Sequence, residues 1–129
     1  MIAVDTNVLV RVLVDDHPAQ CASARRLWRT NRIWITKTVL QEAEWVLRSA
    51  MKAPREEIRH AFRLLMADPR VSVEDRAAVE RAVICFGAGM DFADALHVAS
   101  RGAAERFVTF DQRLVLVAGP MGEEVEPLG

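Results

Sequence analysis

Short β-type runs alternate with helix-length segments along the whole chain, and this alternation restricts the fold more than any other feature. Residues 1–5, 33–36, 71–73, 106–110 and 124–126 read as strands. Helices are predicted over 6–14, 18–30, 38–51, 54–67, 75–87 and 91–102, with a short helical turn over 111–115. Strands separated by helices predict an α/β domain whose sheet is mainly parallel. The punctuation is local. Asp15, Asp16 and Pro18 part the first two helices, Pro54 suits a first helical turn, and Asp68-Pro69 stops the helix before it. Thr38 with Gln41 three residues on predicts a capping box. Behind it Val39, Leu40, Ala43, Val46, Leu47 and Ala50 recur at helical spacing as one apolar stripe.

The chain has 129 residues, enough for one domain over 1–129 and too few for two. Hydrophobic residues at 51% and charged ones at 27% exclude a disordered or fibrous chain. No apolar run approaches the ~20 residues that span a bilayer. Asp5 interrupts any signal peptide almost at once, so a soluble, cytoplasmic protein is expected. Cys21 and Cys85 lie on apolar helical faces and read as buried thiols, without zinc spacing. Lys and Arg number 17 against 18 Asp and Glu. That balance argues against a non-specific nucleic-acid coat. It leaves room for an enzyme that meets phosphate through a metal ion.

Acidic residues mark where such a site lies. In a parallel sheet each helix starts at the edge where strands finish. Asp5 is expected as the last residue of strand one, and Glu42 near the start of the helix after strand two. Asp91 and Asp94 open the helix before strand four, and Asp111 follows that strand. All five are thereby assigned to the carboxyl edge, the usual site in this architecture. Charges about 5 Å apart repel by roughly 3 kcal/mol at an effective dielectric near 20. Raised pKa values, a basic partner or a cation must offset this. Oxygen-only ligands select Mg²⁺ or Mn²⁺, so a metal site is inferred. A plainer role stands beside it, because Asp5, Asp91 and Asp111 sit where helix caps belong and Glu42 where a solvated flank would.

In four blocks the chain resembles the PIN-domain ribonucleases, and among them the VapC-type toxins of toxin–antitoxin pairs. The blocks are VDTNVLVRVLV from Val4, TVLQEAEWVLRS from Thr38, DFADALHVAS from Asp91 and FVTFDQRL from Phe107. The resemblance implies a three-layer α/β/α sandwich and a metal-dependent endoribonuclease. In it Asp5, Glu42, Asp94 and Asp111 bind Mg²⁺ or Mn²⁺, and Asp91 helps. Thr6 and Asn7 would steady Asp5, the metal's waters or the scissile phosphate, with Thr109 acting likewise from the other side. Arg11 is a candidate for substrate or antitoxin contact. The implied partners are an RNA substrate, a VapB-type antitoxin and a second copy of the chain, with no membrane. A non-catalytic PIN-like module that only binds its antitoxin is the alternative. A haloacid-dehalogenase-like phosphatase is disfavoured because Asn7 stands where its second Asp belongs, and a receiver domain would want a switch lysine. His97 and Arg101 share a helix face with Asp94, either an RNA-facing strip or an ordinary solvated face. Trp45 lies nearly opposite its helix's stripe and points to a second buried surface. Trp28 and Trp34 are expected in the core.

Overall fold

The Val-rich run after Asp5 could pass for a strand, yet it is helical, because the Asp5 side chain accepts a hydrogen bond from the Val8 N–H and caps it. The computed structural model describes all 129 residues and divides them into two compact units, Met1–Arg76 and Ala77–Gly129.

The first unit carries β1 (Ile2–Ala3), α1 (Thr6–Leu13), α2 (Pro18–Thr30), β2 (Ile33–Ile35), α3 (Lys37–Ser49), α4 (Arg55–Ala67) and β3 (Val71–Val73). Its sheet has the order β1-β2-β3, all parallel, with Ile2 beside Ile33 and Ile33 beside Val71. Ile33 and Ile35 on the central strand are buried, as are Val71 and Val73. Helix α1 packs on α2 and α3, and α4 on β3. The second unit carries α5 (Arg76–Gly87, which begins at the junction), α6 (Phe92–Ala99), β4 (Val108–Thr109), α7 (Gln112–Ala118), a single 3-10 turn at Gly119–Met121 and β5 (Glu126–Pro127). There β4 and β5 pair in parallel. Phe86 and Phe92, both buried, meet edge-to-face with ring centroids 5.4 Å apart.

Several boundaries move from their expected places for physical reasons. Strand β1 ends at Ala3, so Asp5 is not its last residue but the cap of α1. The expected Thr38–Gln41 box is replaced by a cap at Thr36, whose hydroxyl accepts from the Val39 N–H. The Glu74 carboxylate reaches from just beyond β3 to accept the Lys37 N–H at 2.8 Å, so the cap of α3 falls two residues before Thr38. Helix α6 stops at Ala99 rather than 102, and α7 runs to Ala118 rather than 115. Both cysteines and Trp28 are buried as expected, whereas Trp34 is only half-buried.

The apolar stripe of α3 is also rotated. Leu40, Ala43, Glu44 and Leu47 are the buried residues, while Val39 and Val46 are half-buried and Ala50 is exposed. Glu44, at 2% exposure the one buried charged residue of the chain, is paired with Arg48 at 2.7 Å. Removing one partner of such a pair strands the other charge. Arg48→Ala should therefore cost ~2 kcal/mol in urea unfolding, less than a fully buried pair because Arg48 is itself half in water. Adding Glu44→Leu should recover most of that loss. A double variant no more stable than Arg48→Ala would show that Glu44 needs no cation.

Candidate metal and nucleic-acid site

Three of the expected acids do cap helices, each through a single oxygen. Asp5 Oδ1 accepts from the Val8 N–H, and Asp91 Oδ2 from the Asp94 N–H at 3.1 Å. Asp111 Oδ1 takes both the Arg113 and Leu114 N–H groups. The second oxygen of each carboxylate is left without a partner in the chain. Capping and a chemical role are thus compatible, since the cap engages one oxygen of each carboxylate and leaves the other.

In the first unit the structure brings Asp5, Thr6 and Glu42 to the carboxyl end of the parallel sheet. Asp5 follows β1, and Glu42 is in the second turn of the helix that follows β2. The Thr6 hydroxyl donates to Glu42 Oε2 at 2.9 Å and ties α1 to α3. Two acids therefore share one edge, as expected for residues that follow parallel strands, and the Thr6 hydroxyl bonds Glu42 where a bond to Asp5 was expected.

In the second unit Asp91, Asp94 and Asp111 are near enough to repel. Burial pushes the Asp94 carboxyl above the ordinary Asp range, and the charges of Asp91 and Asp111 push it further, with His97 opposing weakly. The Thr109 hydroxyl accepts the Asp111 N–H at 3.0 Å, which fixes the turn from β4 into α7. None of Asp5, Glu42, Asp91, Asp94 and Asp111 is ion-paired with a basic side chain. Within neither unit do three of them converge into a ready-made cage.

Other candidates are placed differently from one another. Arg11 is engaged within its own unit, its guanidinium on both Asp16 oxygens at 3.1 Å and on the Gln20 side chain at 2.7 Å. Arg101 donates to the Glu124 carbonyl at 2.8 Å, and His97 faces solvent. Trp45 is 60% exposed, so no other element of the chain covers it. A feature that the sequence did not reveal is a cavity of about 550 Å³ between α1 and α2. Its polar rim includes Asp5, Asn7 and Ser23, and its apolar wall includes Val8 and Leu27. Only the packing of the two helices makes Ser23 part of the same surface as Asp5.

No helix is long and apolar enough to cross a membrane. A family model described as the PIN domain matches residues 2–120, across both units. No curated protein and no solved structure matches the chain. The match carries the fold class with it, a three-layer α/β/α architecture with a mainly parallel sheet, which the seven helices and parallel strand pairs fit.

Proposed function

Because the chain belongs to the PIN domain family, whose members are generally nucleases, we propose that it is a metal-dependent endoribonuclease and the toxin of a VapBC-type toxin–antitoxin pair. In this reading the two units work as one domain over 1–129 in the cytoplasm, and the family match that runs across their junction supports that. Asp5, Glu42, Asp94 and Asp111 hold Mg²⁺ or Mn²⁺. The observation that carries the reading is the crowding of carboxylates without a basic partner, expressed in the raised proton affinity of Asp94. Hard oxygen donors whose repulsion is not offset within the chain suit a small divalent cation.

Such an ion supplies Lewis acidity toward phosphoryl oxygens and makes water more acidic. The chain's own residues position the parts. Thr6 keeps Glu42 in one rotamer through its hydrogen bond, and the cap on α1 does the same for Asp5. Asp91 orders the first turn of α6, on which Asp94 stands, and Thr109 orders the turn that presents Asp111. Asn7, exposed beside Asp5, is a donor available to a phosphate or a bound water. The partners in this reading are RNA, a VapB-type antitoxin and a second copy of the chain. The uncovered Trp45 supports a protein interface, since large exposed aromatics are enriched in such surfaces.

Purified protein with Mn²⁺ should cut RNA, and Asp5→Asn should not. The folded site should also bind the ion alone. Manganese at 100 times its Kd would stabilise the parent by ~2.7 kcal/mol over chelator, read as a higher Tm. Equal cleavage by parent and variant would assign the activity to a contaminant and favour the antitoxin-binding module. Identical melting in chelator and manganese would remove the metal site.

A further inference from the structure

The cavity between α1 and α2 shares Asp5 and Asn7 with the site described above, and the rest of its lining has no part in the steps given there. Its chemistry is specific. Val8 and Leu27 offer aliphatic surface, while Asn7 and Ser23 offer side-chain donors and acceptors that bond nothing else in the chain. Gln20 gives its carbonyl oxygen to Arg11 and keeps its amide N–H groups free. The one cation in the cavity, Arg11, is already neutralised by Asp16. The pocket therefore suits a flat, neutral, hydrogen-bonding group rather than an anion. At about 550 Å³ it falls within the range that encloses a ligand of nucleoside size.

One turn beyond Ser23 on α2 stands Arg26, which is exposed and has no ion-pair partner. Residues three apart on a helix are neighbours, so a phosphate carrier leaving the pocket past Ser23 meets Arg26. The helix thus places positive charge next to a recess that Asp5 borders on its other side. A nucleotide has that sequence of chemistry, a base followed by a phosphate.

We infer that the α1–α2 cavity is a subsite for the base of one unpaired nucleotide flanking the cleaved phosphodiester. In it Ser23 and the side-chain amide of Gln20 read the base edge, and Arg26 holds the phosphate leading away. The inference rests on the nuclease reading for its placement next to cleavage, though base binding is testable without catalysis. Sequence-specific recognition of RNA commonly works this way, on bases splayed out of a single strand.

The test uses the full chain and an RNA tetranucleotide library in chelator, where no cleavage occurs, followed by anisotropy, together with Mn²⁺-dependent cleavage of a randomised RNA. Ser23→Leu fills the recess from a surface position and Ser23→Ala removes only the hydroxyl. Ser23→Leu should weaken tetranucleotide binding at least 10-fold. It should also flatten the base preference at one position beside the cut, raising KM more than it lowers kcat. Ser23→Ala should relax that preference with a smaller loss of affinity. Arg26→Ala should weaken all sequences alike and reduce the log–log salt slope by about 1. A folded Ser23→Leu with the parent's affinity and base preference would overturn the inference while leaving the nuclease standing. Loss of tetranucleotide binding in Ser23→Leu, with no cleavage by the parent, would retain the base pocket and overturn the proposed activity instead.

Discussion

Asp94→Asn should melt at a higher temperature than the parent in chelator at neutral pH and should cleave RNA at least ~100-fold more slowly. The two effects have one cause. Burial and the neighbouring Asp91 and Asp111 raise the proton affinity of Asp94 in the folded chain. The folded state therefore holds this proton more tightly than the unfolded state does. Stability falls as pH rises from the ordinary Asp range through the raised value, and above that value the full cost of the charge is present. Asparagine has the same shape without the charge. The gain in Tm should be a few degrees at pH 7 and should vanish near pH ~3, where both states of the parent are protonated. Activity moves the other way, because an amide is a poor ligand for a hard cation. Loss of outer-shell partners alone costs 10- to 100-fold at metal sites, so loss of a ligand costs at least ~100-fold. A variant that melts lower in chelator would show that Asp94 is not held against repulsion, and a fully active one would remove it from the ligand set.

Phe92→Ala should remove ~3–5 kcal/mol, a large part of the ~5–15 kcal/mol typical of a whole domain. Phe92 is fully buried and stacks edge-to-face on Phe86 at 82° between ring planes. Truncation leaves a ring-sized cavity and ends that contact, itself worth ~0.5–1.5 kcal/mol. Phe92 is also the first residue of α6, adjacent to the Asp91 cap. The same ring that anchors the second unit's core thereby sets where Asp91 and Asp94 begin their helix. Phe92→Leu keeps most of the volume and should lose less than ~1.5 kcal/mol. Urea titration separates the cases, and an alanine variant losing under ~1 kcal/mol would mean the core there collapses around the gap.

Much of this was readable from the chain because it is local. Pro18 opens α2 and the helix ends at Thr30, as expected, since proline is favoured at a first helical position. The acids at positions 5, 91 and 111 were legible as caps because a short carboxylate reaches an N–H two or three residues on. The family match over residues 2–120 agrees with the resemblance drawn from four blocks at their spacings. The start of α3 was misplaced because Thr36 and Thr38 are equally good caps in isolation. A carboxylate 37 residues away, Glu74, decides between them by taking the Lys37 N–H.

Side-chain periodicity and capping chemistry depend on neighbours within a turn, so the order and kind of elements, the parallel sheet and the identity of the candidate acids were determined by the sequence itself. Distance through space between residues far apart in the chain is different, because it exists only after packing. Tertiary structure alone turned α3 so that Glu44 is buried, joined Thr6 to Glu42, crowded Asp94 against Asp111, and opened the recess between α1 and α2 beside Asp5.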